Sequence, residues 1–293
     1  MNGFLSIHPA VSAFYFISVL IITMFTANPF LVFTALLGGI LFFVKIGKNI
    51  KSLKEFGGYT ALFVLISLTN PLFSHIGVTP LFFLNGNPVT LEAIFYGIHL
   101  AIMIIAVIYW FKCFNIIITE EKLLYLFGKI SPKISLLISS ALRFVPLLKT
   151  QAAKIRQTQK AMGLYSSEAY IDKLKGTIRV YSALISWSLE NAIDTGASMK
   201  ARGYGLKGRT YYSIYKFKKT DASLLVIIIL LDTVIITSTA MGFLDFSFYP
   251  AIFMEPINIY SIFTVFSFAI LSLLPFMLEV KEALQWKYYK SKI

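Results

Sequence analysis

Between Asn191 and Thr210 the chain reads NAIDTGASMKARGYGLKGRT. Within it Arg202, set between Ala201 and Gly203, is the side chain best equipped for directed polar chemistry. Its planar five-donor guanidinium pairs bidentately with carboxylates, which is the chemistry of recognition and not of bond making. Elsewhere the reactive groups are sparse. Asp232 lies in an apolar run close to Thr233 and Thr237, with no cation in that run to pair with, so a hydrogen-bonded role within a helix bundle is expected. His8, His75 and His99 are too far apart to give a ligand spacing, and the one cysteine, Cys113, cannot form an internal disulfide or a cysteine metal cluster. No Asp-x-x-Asp pair exists for a magnesium–diphosphate site and no Walker A sequence for nucleotide. No catalytic residue, metal site or bound cofactor is therefore expected, and any ATP must be hydrolysed by another chain.

The elements that must position Arg202 follow from composition. Of 293 residues, 57% are hydrophobic and only 14% charged, and the mean hydropathy is +0.74, which lies outside the range of soluble globular domains. The expected fold class is an all-α polytopic membrane protein. A net charge of +13 could suggest nucleic acid, but in such a chain it reads as lysine and arginine retained on the cytoplasmic side, so no nucleic-acid partner is expected. The start, MNGFLSIHPAVSAFYF, lacks the basic region and small-residue cleavage site of a removable signal peptide.

Apolar runs of about 20 residues mark the spans. Val11–Val44 reads as two spans turned at Asn28-Pro29, followed by Gly58–Phe73, Leu91–Phe114, Leu224–Met241 and Ile259–Leu278. Six spans result. Lys45, Lys48, Lys51 and Lys54, the basic region from Lys122 to Lys219, and Lys281, Lys287, Lys290 and Lys292 all fall on one side if both termini are cytoplasmic, and connections 27–29, 74–90 and 242–258 carry no lysine or arginine. The expected location is thus the cell membrane, multi-pass. The expected organisation is four spans in 1–114, a cytoplasmic coupling-helix domain over 115–221, two spans in 222–280 and a cytoplasmic tail over 281–293.

Within the insertion, Ile134–Leu148 is apolar but short and carries Arg143, so it is assigned to a helix at or below the inner membrane surface. It opens a helix from about Pro132 to Met162. In the next helix Leu174, Ile178, Tyr181, Ile185, Leu189 and Ile193 recur at intervals of three and four, an apolar stripe with Lys175, Arg179, Glu190 and Asp194 off it. Two long amphipathic helices packed together can transmit a push. Each ends alike, QKAMGLYSS for the first and MKARGYGLK for the second, with Gly163 and Gly203 at the expected cap position.

Read together, LRFVP (Leu142–Pro146), a helix ending Ala-x-Gly and, about 40 residues later, SMKARGYG resemble the transmembrane T component of energy-coupling factor transporters, which includes the T subunits of cobalt and nickel uptake systems. His8-Pro9, NPLF (Asn70–Phe73) and GRT (Gly208–Thr210) agree with that pattern. The resemblance implies a scaffold that joins two ATP-binding-cassette subunits to a small membrane-embedded subunit that captures a vitamin or a metal ion. It implies ATPase-docking motifs at Ala161-Met162-Gly163 and Ala201-Arg202-Gly203. Met162 departs from the family's arginine. Lys160 could reach the same carboxylates in its place, or one ATPase of an asymmetric pair could offer an apolar groove that methionine fills. Arg143 and Pro146 have two readings, support for the first motif and an anchor to lipid phosphates.

The plainer reading of Arg202 is an ordinary cytoplasmic loop arginine. Other functional classes demand other residues. A stand-alone secondary transporter needs broken helices or inverted repeats around a midplane site. The permease of a conventional ABC transporter is expected to use one short coupling helix per contact instead of this long pair.

Overall fold

A computed structural model describes residues 3–47, 53–84, 86–163, 170–206, 215–256 and 258–291. Lys48, Lys51 and the GRT segment Gly208–Thr210 lie outside the described residues. After a single 3-10 turn (Phe4–Ser6) come α1 (Pro9–Phe25), α2 (Pro29–Ile46) and α3 (Leu53–Phe73), then a hairpin of β1 (Pro80–Leu84) and β2 (Asn87–Thr90). Next follow α4 (Leu91–Ile117), α5 (Glu120–Ile130), α6 (Pro132–Ala161), α7 (Tyr170–Ala201) and α8 (Lys219–Ala240). Two short paired strands, β3 (Phe246–Ser247) and β4 (Phe253–Met254), precede α9 (Ile259–Lys290). The protein is all-α and membrane-embedded. α2, α4, α8 and α9 are long and apolar enough to cross a bilayer, and Pro9–Phe25 and Gly57–Phe73 are shorter apolar helices.

The chain divides into two compact units, one of Met1–Lys122 with Tyr215–Ile293 and one of Leu123–Ile214. In the first, local signals start the helices. His8 and Asn28 each precede a proline at the first helical position. His8 Nδ1 accepts from the Ala10 amide (3.2 Å) and Asn28 Oδ1 from the Phe30 amide (3.0 Å). The Asn28-Pro29 turn separates α1 from α2 as the sequence indicates. The Asn28 amide also reaches across to donate to the Leu244 carbonyl at 3.3 Å.

Connection 74–90 is more ordered than its composition suggests. Its β1–β2 hairpin pairs Phe82 with Val89 and Leu84 with Asn87. The hairpin is fastened to the start of α4, where the Glu92 carboxylate accepts from the Thr79 hydroxyl (2.8 Å) and Thr90 Oγ1 donates to the Ile76 carbonyl (3.0 Å).

Around α4 the unit closes on aromatic rings. Trp110 is fully buried, edge-on to Tyr15 (5.9 Å) and Phe16 (6.2 Å), and its Nε1 donates to the Ala35 carbonyl at 3.0 Å. Phe4 packs edge-on against Tyr15, Phe16 and Phe42. Apolar side chains on the opposite faces, among them Ile17, Phe33, Leu230 and Phe266, point outward, as a lipid-facing surface requires.

α3 and α4 touch backbone to backbone. A Cβ on Gly97 would lie 2.5 Å from the Ser67 carbonyl oxygen, whereas one on Gly58 would meet nothing within 4 Å. Gly97→Ala is therefore expected to force the two helices apart, at a cost of about 1–3 kcal/mol. Gly58→Ala, a gain in helix propensity, should cost nothing. Thermal unfolding of the two purified variants in one detergent checks the pair, and an unshifted midpoint for Gly97→Ala would refute the close approach.

Candidate functional site: two capped helix ends

The second unit is built on α6 and α7, which run for 30 and 32 residues and pack on one another. The apolar stretch Ile134–Leu148 is the first half of α6, continuous with the basic second half. Pro146 lies inside this helix, and Arg143, exposed, stands 6.0 Å from the Phe144 ring. At about 1.5 Å per residue, Arg143 is roughly 28 Å along the axis from Met162. The structure does not bring Arg143 or Pro146 to the helix end where the first motif lies.

Both helix ends close on a left-handed glycine. α6 stops at Ala161, where the Met162 amide donates to the Thr158 carbonyl and the Gly163 amide to the Lys160 carbonyl, both at 3.0 Å. α7 stops at Ala201, where the Arg202 amide donates to Ser198 (3.1 Å), Gly203 to Lys200 (3.0 Å) and Tyr204 to Met199 (3.0 Å). The last two bonds form the Schellman pair that satisfies orphan carbonyls at a helix C-terminus. Both glycines are left-handed, with φ of +75° at Gly163 and +83° at Gly203, a region that glycine enters at no steric cost and asparagine tolerates.

In sequence the two ends are Lys-Ala-Met-Gly and Lys-Ala-Arg-Gly, so one side chain in four distinguishes them. Met162 is 63% exposed and Arg202 is exposed, its guanidinium without a protein partner among the described residues. Lys160 and Lys200, in the last turns, complement the negative end of each helix dipole. One neighbour escapes a reading of the sequence. Gln159 is buried and its Oε1 has no hydrogen-bond partner among the described residues, yet nothing in the polar run around it marks that position as inward.

The apolar stripe of α7 does not do the packing. Leu174, Ile178, Tyr181, Ile185, Leu189 and Ile193 are all exposed, between 47% and 73%. The protected positions are instead Gly176 and Val180, continued by the half-buried Leu184, Trp187, Asn191, Thr195 and Met199. This second row also repeats at three and four, but on another side of the helix. Its small and mixed residues permit close contact without advertising it in hydropathy. Six large apolar side chains in line are thereby left uncovered, a surface of the kind that marks an interaction site.

The capping geometry carries its own test. In Gly203→Ala the new Cβ would adopt a positive φ and stand 3.1 Å from Leu206 Cδ1, so the last turn of α7 should loosen by about 1–2 kcal/mol. Gly163→Ala meets nothing within 4 Å and should cost less. Faster hydrogen exchange at the Gly203 and Tyr204 amides measures the effect, and Gly203→Asn, which tolerates the left-handed region, should restore most of the protection.

Comparison with known proteins places these helices in a family. Residues 6–212 match the CbiQ family, described as cobalt transport protein. The chain is 34% identical over 96 residues to the energy-coupling factor transporter transmembrane protein EcfT of Listeria innocua, a match covering 32% of this chain and 36% of that protein. It is 39% identical over 101 residues to the EcfT of Lactobacillus helveticus (34% and 36%) and 34% identical over 106 residues to that of Lactococcus lactis (36% and 40%). The matched stretch thus spans little more than a third of the length of these curated relatives. Since the family match takes in most of the chain, the protein belongs to the CbiQ family and is a T component of an energy-coupling factor transporter.

Proposed function

We propose that this chain is the coupling subunit of an ATP-driven importer, joining two ABC ATPase subunits to a small membrane-embedded subunit that binds the substrate. The observation that carries the reading is the pair of helix ends that each close on a left-handed glycine, at Gly163 and Gly203, and each present one uncovered side chain, Met162 or Arg202. Two such ends suit two ATPases. A guanidinium held by a Schellman cap keeps its orientation and can follow a groove carboxylate through ATPase closure, while methionine offers shape without charge. The exposed stripe on α7 provides a separate apolar surface for the substrate-binding subunit. Among the described residues no three His, Cys, Asp or Glu side chains gather, and selection between a vitamin and a transition-metal ion is assigned to that separate subunit.

In this reading six helices cross the membrane, both termini are cytoplasmic, and the second unit is the cytoplasmic coupling domain. Cys113, fully buried with its Sγ 3.9 Å from the Gly39 carbonyl, leaves a quiet background for labelling. A membrane-impermeant maleimide should react with Asn87→Cys in intact cells and with Ser291→Cys only in inverted vesicles; labelling of Ser291→Cys from outside would refute the topology.

The two surfaces should fail separately. Arg202→Glu sets like charges together in the ATPase groove, where loss of one partner of a buried pair costs about 2–5 kcal/mol, so ATPase subunits should no longer co-purify and uptake should collapse. Met162→Ala removes one flexible side chain, worth about 1–3 kcal/mol, and should leave uptake reduced but measurable, with Lys160→Ala no worse. Ile185→Asp on the α7 stripe should release the substrate-binding subunit while the ATPases remain. If Arg202→Glu is silent the docking assignment is wrong, and if the chain alone transports substrate in liposomes the scaffold reading is wrong.

A further inference from the structure

The chain leaves the first unit after Lys122 and re-enters it at Tyr215, and both passages meet the same short segment, Gly3–His8. The Leu5 carbonyl accepts from Lys122 Nζ at 2.9 Å. The His8 amide donates to Asp221 Oδ1 at 3.3 Å, while Asp221 Oδ2 accepts from the Lys218 amide at 2.9 Å. The His8 ring stands edge-on to Phe217 at 5.2 Å. Lys122 and Asp221 are each about 95% buried (5% and 4% exposed), and charged groups are rarely buried without a specific partner.

Burial, and after it the nearby Glu121 carboxylate, raises the Tyr215 phenol above its ordinary range.

The segment is itself held at two further points. Phe4 is buried in the ring cluster of Tyr15, Phe16 and Phe42, and its amide donates to Glu279 Oε1 of α9 at 2.8 Å. Gly3 lies against the same helix, where an added Cβ would come 3.1 Å from Glu279 Oε1. Six residues therefore tie α9, the aromatic core and the two stretches of the first unit that border the insertion together, through a backbone carbonyl and backbone amides that no side-chain pattern announces.

We propose that Gly3–His8 is a clamp that fixes both passages into the membrane unit as one body, so that movement of the inserted unit is delivered to α1 and α9 instead of being absorbed at the joints. The clamp is a property of this chain. Its consequence for transport rests on the coupling function proposed above. A long insertion attached by two independent, solvated linkers would pivot. Attached through one buried segment, the two passages must move together or break buried polar contacts.

Hydrogen–deuterium exchange on the full chain in lipid nanodiscs, without partner subunits, tests the clamp. Lys122→Met removes the donor to Leu5 and keeps the apolar stem. It should accelerate exchange not only at residues 3–8 but also at 215–222, far along the chain, by roughly tenfold or more at the Lys218 and Asp221 amides. Lys122→Arg should restore protection, and Asp221→Asn should read the same linkage from the other end, at residues 118–122. Exchange in the Trp110 region of α4 should stay as in the parent. Acceleration confined to the neighbourhood of the mutated residue would overturn the clamp, as would equal acceleration throughout α4, which would make the segment a general stability element. Should the linkage be present while no ATPase co-purifies with the parent chain, the clamp stands and the coupling function fails.

Discussion

Two adjacent glycines on α2 set the distances on which the membrane unit depends. A Cβ on Gly38 would come within 2.8 Å of the Ser272 carbonyl of α9, and one on Gly39 within 3.3 Å of Tyr109 and Trp110 on α4. Lipid tails are as apolar as leucine, so helices in a bilayer gain little from hiding apolar surface and are held by close contact and interhelical hydrogen bonds. At this separation both become available. Trp110 reaches the Ala35 carbonyl, Tyr15 donates to the Leu271 carbonyl at 3.0 Å, and Ser272 donates to the Thr34 carbonyl at 3.4 Å. The ring cluster that follows provides the socket that holds Phe4, and through it the segment on which both passages to the second unit converge.

The polar residues of the membrane unit are answered mostly at home. Thr23, Thr264 and Ser267 donate to carbonyls one turn back, at 2.7, 2.8 and 2.8 Å, as hydroxyls do in membrane helices where water is absent. Asn70 bridges outward, donating to the Ala93 carbonyl (3.0 Å) and the Tyr249 hydroxyl (3.1 Å). Among the described residues Asp232 and His75, whose Nδ1 is buried without a hydrogen-bond partner, depart from this. Buried in α8, Asp232 keeps Oδ1 without a hydrogen-bond partner among the described residues, so the hydrogen-bonded aspartate expected of the sequence is only half satisfied.

The second unit inverts that logic. The apolar stripe of α7 from Leu174 to Ile193 and the Met162 and Arg202 side chains at the unit's two helix ends face outward, beside turns that close on left-handed glycines. What is rigid there is backbone, and what is free is side chain. In the coupling function proposed above, that arrangement offers a fixed surface to partners without spending its order on assembly.

Much of this was legible in one sequence because it is local. The turn at Asn28-Pro29 and the Ala-x-Gly stops depend on residues within about one helical turn of one another, apolar runs mark the long helices, and a 3.6-residue period reveals α7 however it is packed. The Lys-Ala-Met-Gly and Lys-Ala-Arg-Gly ends were readable for the same reason. Tertiary structure alone decided which face of α7 is covered, because Gly176 and Val180 pack by fit whereas the hydropathy pattern follows Leu174, Ile178 and Tyr181. It alone decided that an uncharged connection becomes a hairpin fastened by Glu92, and that Lys122 and Asp221, two charges among many in a basic insertion, are buried on the carbonyl of Leu5 and the amide of His8. Contacts between a side chain and a distant backbone atom leave no trace in residue spacing, since every residue carries the same carbonyl and nearly every one the same amide.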